Sequence, residues 1–126
     1  MPWTQIALVA AGAGAGAVLR WAAGVWLNER WSGFPLGTLF VNCIGGLLVG
    51  VALVWFVRTP NEPMRLLLVT GVLGGFTTFS AFSVESLILV QRGLWPMALA
   101  HTLAHVVGAL ACAGLGYRLA QLILVK

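Results

Sequence analysis

Acidic side chains are nearly absent: the 126 residues include three Asp and Glu against seven Lys and Arg, and charged residues make up only 8% of the chain. A soluble domain is ordinarily about a quarter charged, so this chain has too little polar surface to dissolve. The basic residues stand singly and form no patch, which excludes a nucleic-acid footprint and leaves interfacial anchoring as their use. There is no nucleophile with a base and an orienting partner, no phosphate-binding glycine loop and no acid pair, so the sequence reads as non-enzymatic. The two cysteines, Cys43 and Cys112, lie in apolar runs, where packing is expected rather than a disulfide. Met1 to Gln5 lacks a basic leader region and the apolar run from Ile6 outlasts a signal-peptide core, so a retained N-terminus is expected.

What the chain has is hydrophobicity, at 60% of residues. Four apolar segments, 6–27, 36–57, 66–90 and 97–125, alternate with polar connections containing "NERWSGFP", "RTPNEPMR" and "QRGLWP". Each holds the roughly 20 residues that a helix needs to cross about 30 Å of hydrocarbon. The expectation is an all-α integral membrane protein of four transmembrane helices, forming a single domain over 1–126, with both termini on one side. Trp31, Trp55 and Trp95 fall near segment ends, where an amphipathic ring prefers the headgroup region.

The charge balance across the connections is unusual. Arg58, Arg65, Arg118 and Lys126 fall on one side, and Arg20, Arg30 and Arg92 on the other. A protein of fixed orientation carries a clear cytoplasmic excess of Lys and Arg, so the near balance predicts insertion both ways round and an antiparallel homodimer. Glycines at multiples of four provide faces for close packing: Gly12, Gly16 and Gly24 in the first segment, Gly46 and Gly50 in the second, and Gly108 and Gly116, with Cys112 between them, in the fourth.

Against this background the polar residues stand out. Arg20 lies on the glycine stripe of the first segment, where an arginine either finds a partner or snorkels to the interface. Thr38 and Asn42 share one face of the second, and the Asn42 amide can bind an anion or tie helices together. In the third segment "GGFTTFSAFS", residues 74–83, is poor in helix formers, and a break near the middle of this helix is expected. Beyond it Phe79, Phe82, Ser83 and Ser86 form one stripe of rings and hydroxyls. Glu85 is the only acidic residue inside a segment, expected to pair with an arginine or to hydrogen-bond at a helix end. His101 and His105, four apart, suit interhelical hydrogen bonding, pore lining or a two-ligand metal site, although no adjacent carboxylate is expected to complete the last.

"GAGAVLRW" (residues 14–21), "GTLFVNCIGG" (37–46) and "GVLGGFTTFSAFSVE" (71–85) resemble the signature segments of the Fluc, or CrcB, family of small fluoride channels, in order and spacing over nearly the whole chain. The resemblance implies a fluoride-selective channel that passively exports the ion through two pores of an antiparallel dual-topology homodimer, in the plasma (inner) membrane of a prokaryote. It also implies a structural sodium ion at the dimer axis, held by backbone carbonyls that correspond here to Gly74 and Thr77. The fluoride pathway would take Asn42, Phe79 and Phe82, with Thr38, Ser80 and Ser83 at polar positions in or near it, and Arg20 matches the family's arginine. The fourth helix departs from the pattern, placing His101 and His105 where the family often offers a tyrosine and serines. A rival reading is a proton-coupled transporter of the small multidrug resistance type. That family's glutamate lies in the first helix, where this chain has none, leaving Glu85 as the only candidate. A purely structural or assembly subunit would not require the stripe of rings and hydroxyls.

Tagged termini should be accessible from both sides of the membrane in one cell population, whereas labelling from a single side would contradict the charge reading. Three lysines added to either set of connections should fix the orientation and lower activity until an oppositely biased copy is co-expressed.

Overall fold

The computed structural model describes residues 2–30 and 34–125; Trp31 and Gly33 in the first connection and Lys126 at the C-terminus lie outside the described residues. Helix α1 spans Trp3–Asn28 and α2 spans Leu36–Arg58. The third membrane segment is composite. It begins with a single turn, α3 (Glu62–Arg65), continues as a π-helical run over Leu66–Leu73 and a short α4 (Gly74–Phe76), and resumes as α5 (Phe79–Gln91). Helix α6 spans Trp95–Leu124. Among the described residues, four helical stretches are long and apolar enough to cross a membrane, Trp3–Asn28, Leu36–Arg58, Glu62–Gln91 and Trp95–Leu124, and the chain is a multi-pass integral membrane protein.

The ends follow from local chemistry. Asn28 closes α1 and accepts a hydrogen bond at Oδ1 from the Gly37 N–H at 2.8 Å, which ties the end of the first span to the start of the second. Asn61 caps α3 by accepting from the Met64 N–H, with Pro63 in the first turn, where its missing N–H removes no bond. After α5 the chain turns at Gly93, whose φ of +72° suits glycine. The Leu94 N–H reaches the Leu89 carbonyl and the Gly93 N–H the Val90 carbonyl, both at 2.9 Å, the paired bonds of a Schellman end.

Between α4 and α5, Thr77 and Thr78 are extended, at φ/ψ of −85°/158° and −151°/122°. Thr77 turns its hydroxyl back to the Leu73 carbonyl at 2.9 Å, and Thr78 caps α5 by accepting at Oγ1 from the Ala81 N–H at 3.1 Å. This is the competition between hydroxyl and backbone bonding that disfavours continuous helix at such residues.

Helix α2 packs along α6, and α1 packs along the π-helical run and α4. Both contacts are made by backbone meeting backbone at glycine. A Cβ at Gly50 would strike the Ala113 carbonyl, one at Gly46 would lie 2.7 Å from the Ala109 carbonyl, and one at Gly116 would strike the Leu47 carbonyl. On the other side, Gly12 and Gly16 press on the carbonyls of Leu67 and Val72, and Gly75 presses on Ala13. Gly24 has a different neighbour from the rest of its stripe, its Cα lying against Gly37. In lipid no hydrophobic force drives helices together, so close van der Waals approach of this kind replaces it.

The interior is polar at its centre. His101 and Val41 are the largest fully buried side chains, and His105 and Thr38 are buried beside them, whereas leucines, valines and tryptophans cover the outside. The bilayer reverses the usual arrangement, because polar groups must find their partners inside the bundle.

Gly50→Ala and Gly116→Ala should destabilise the folded protein in detergent by about 1–3 kcal/mol, because the neighbour is immovable backbone. Gly14→Ala and Gly114→Ala face open space and should be neutral or stabilising by up to about 1 kcal/mol. Thermal unfolding of the four variants checks the contrast.

Candidate functional site

The site is built around the extended residues. The Thr78 N–H, released from the helical ladder, donates to Asn42 Oδ1 at 2.8 Å, and Asn42 Nδ2 donates to the Thr78 carbonyl at 2.9 Å. One amide on α2 thus satisfies both backbone groups of one residue in the third segment. The same Nδ2 lies 3.0 Å from His105 Nδ1 on α6, so Asn42 joins three membrane segments. Because the Thr78 N–H goes to Asn42, the Gly74 carbonyl one turn earlier loses its helical donor. Among the described residues no side chain takes the carbonyls of Gly74 or Thr77, whereas the Gly75 carbonyl accepts from Arg20 Nε at 3.0 Å.

A second knot lies around Glu85. Thr38 Oγ1 donates to its Oε1, and His101 Nε2 lies 3.0 Å from its Oε2. His101 Nδ1 is in turn 2.8 Å from Ser86 Oγ. The expected partners of Glu85 were an arginine or a helix end; its partners are instead a threonine and a histidine. The carboxylate absent from the sequence reading of the histidines is also present, since Glu85, His101 and His105 offer ligand atoms within 4.8 Å of one another.

Aromatic rings close the space. Phe82 stacks on His101 at 5.4 Å with 11° between planes, and it lies 4.7 Å from His105. Phe34 meets His101 from the first connection at 5.4 Å, and Phe79 meets Phe82 at 5.3 Å. A cavity of about 540 Å³ is lined by Asn42, Gly74, Thr77, Phe79, Phe82 and His105 among others. A second, of about 320 Å³, brings Arg20 together with Asn28, Thr38 and Glu85. Ten of the residues singled out by sequence, Arg20, Thr38, Asn42, Gly74, Thr77, Phe79, Phe82, Glu85, His101 and His105, therefore lie in these cavities or in the network between them. Ser80 and Ser83 sit at its edge: Ser80 is exposed and 3.2 Å from the Thr78 hydroxyl, and Ser83 donates to the Phe79 carbonyl at 2.8 Å. Phe79 is 79% exposed in the single chain.

Two contributions lie beyond the reach of the sequence: Thr78 acts through its backbone, which no side-chain pattern reveals, and Phe34 arrives from a connection. Ser86, on the stripe of rings and hydroxyls, meets His101 only through the packing of α5 against α6.

Asn42→Leu should leave the Thr78 N–H unpaired, at about 1–3 kcal/mol, and strip the Thr78 carbonyl of its side-chain donor, and should lower the melting temperature of the detergent-solubilised protein far more than Ser83→Ala. Equal effects of the two would contradict the clasp.

A family model described as CrcB-like protein, Camphor Resistance (CrcB), matches residues 7–117. The chain is 45% identical over 116 residues to the fluoride-specific ion channel FluC of Thiobacillus denitrificans, covering 90% of this chain and 94% of that relative. It is 50% identical over 111 residues to the fluoride-specific ion channel FluC of Aromatoleum aromaticum, covering 86% of this chain and 85% of the relative. The protein of the same description from Marinobacter nauticus is 44% identical over 117 residues, 91% of this chain. Extending over nearly the whole chain, these matches establish that it belongs to the CrcB family.

Proposed function

We propose that the chain is a fluoride-selective channel that lets the ion leave the cytoplasm passively, in the inner membrane of a prokaryote. The observation that carries the reading is the kinship with FluC channels over nearly the whole chain. The site is consistent with it: a set of neutral hydrogen-bond donors and aromatic rings lies in the middle of an otherwise apolar bundle. Fluoride is small and strongly hydrated, so a selective route must replace its water with donors, and the positive edges of Phe79 and Phe82 supplement them. Thr38, Asn42, Ser80, Ser83, His101 and His105 supply the polar positions along that route. No bond is made or broken, and the protein is not an enzyme.

The working unit in this reading is an antiparallel homodimer with two pores, surrounded by lipid. The third helix is broken at Thr77 and Thr78 for a reason: its free carbonyls form an acceptor set for a hard cation. Gly74 and Thr77 offer neutral oxygens of the kind sodium takes, and two per chain are too few for a full shell, which a second copy would double. Sodium there would supply a fixed positive charge and a brace at the dimer axis. Arg20 holds the Gly75 carbonyl beside it, and Glu85 stays compensated by Thr38 and His101. The rival carrier reading is not favoured, since its proton-exchanging carboxylate would have to be Glu85, which Thr38 and His101 enclose.

Phe79→Ile and Phe82→Ile should leave folded dimer in detergent, at a cost of about 1–3 kcal/mol, yet nearly abolish fluoride efflux from liposomes. Parental flux per dimer in both variants would sink the aromatic route.

A further inference from the structure

Cys43 on α2 and Cys112 on α6 meet at the seam of these two helices. Asn42 against His105, Gly46 against Ala109 and Gly50 against Ala113 set α2 alongside α6, running in the same direction. Cys43 Sγ rests on Gly108, where a Cβ would lie 3.1 Å from the sulfur, and Leu47, one turn further, carries its carbonyl against Gly116. Cys112 is one turn from each of these glycines on the same face of α6, so its side chain enters the seam beside Cys43. The two thiols lie there in contact as a weakly hydrogen-bonded pair, both half-buried and both free. Neither lines the cavities that hold the polar network. Among the described residues the one cluster of three or more His, Cys, Asp or Glu side chains is Glu85, His101 and His105, so no third ligand of these kinds joins the cysteines.

We propose that Cys43 and Cys112 form a two-coordinate thiolate site for a soft divalent cation of the mercuric kind, which staples α2 to α6. The inference does not rest on the fluoride reading. Two sulfurs without a further donor exclude structural zinc, which takes four ligands, and suit a soft d10 ion that accepts a linear S–metal–S arrangement. Charge selects among such ions. Both cysteines lie inside membrane-spanning helices, where a net charge is costly. A divalent cation on two thiolates leaves the bridge neutral, whereas monovalent copper or silver would leave it negative. Mercuric chloride is itself a neutral molecule that enters hydrocarbon. Its binding needs no oxidant: two S–H and two Hg–Cl bonds break, two S–Hg bonds form, and two protons leave with two chlorides. The helix backbones already touch at Gly46, Gly50 and Gly116, so once one sulfur holds the metal the other is an intramolecular ligand at high effective concentration.

The test titrates the purified full chain in detergent with mercuric chloride, in competition with glutathione, a monothiol. The intact mass of the parent should show one mercury per chain in place of two hydrogens, with no thiol left to react with a maleimide, and the melting temperature should rise on binding. Cys43→Ser and Cys112→Ser each keep one thiol, and glutathione should strip their metal at a concentration about 100-fold lower than the parent requires, because the chelate is lost. Two mercury atoms per chain, mercury shared between two chains, or thiols that do not react in the folded parent would each overturn the staple. These three outcomes are read on the parent alone and need no variant to fold. Stripping of the parent at the same glutathione concentration as the single variants overturns it as well. So does mercury retained by the double variant Cys43→Ser/Cys112→Ser, which would place the metal on Glu85, His101 and His105 instead. Fluoride flux enters none of these readouts, so the channel reading stands or falls separately.

Discussion

The clasp of Asn42 on Thr78 is the interaction on which the rest of the site depends. Two extended residues inside a membrane segment release backbone groups that lipid cannot satisfy, and each would be unfavourable by several kcal/mol if left bare. One side-chain amide on α2 answers both groups of Thr78 with bonds of 2.8 and 2.9 Å. With that bond in place α5 can start afresh under the Thr78 cap, turning Phe82 toward the histidines, and the carbonyls of the preceding turn stay open. The interruption and the polar centre are thus one structural decision.

Close glycine packing sets the positions of the partners. Because α2 and α6 meet at the carbonyls of Ala109, Ala113 and Leu47, Asn42 and His105 come within hydrogen-bond distance, and Thr38 and His101 both reach Glu85 from their own helices. A side chain at Gly46 or Gly50 would push the helices apart and separate these pairs by more than a hydrogen bond tolerates. Packing and polar satisfaction are coupled, which ties the fold of this bundle to its permeation chemistry.

Much of this was legible in the sequence. The four spans could be read because each apolar run matches the thickness of a bilayer, and the structure lengthens the first to Trp3–Asn28 since its flanking polar residues continue the helix into the interface. The i, i+4 spacing placed Thr38 with Asn42 and His101 with His105 on common faces, because local helical geometry suffices for that. The pairing of Glu85 with His101 was not legible, since it depends on how α5 meets α6. Nor was the π-helical run over Leu66–Leu73, since nothing in its sequence LLLVTGVL distinguishes it from α-helix. The sequence marked Asn42 as a donor and could not show that Thr78 and His105 take both of its N–H groups.

The central claim is passive, fluoride-selective permeation. Its most direct measurement is fluoride release from liposomes that contain the purified protein and are loaded with potassium fluoride, followed with a fluoride electrode as a potassium ionophore is added. The account predicts rapid release that requires only the counter-ion path, is indifferent to an imposed proton gradient and is not reproduced when chloride is the internal anion. No release from folded protein, or release that follows the proton gradient, would contradict it.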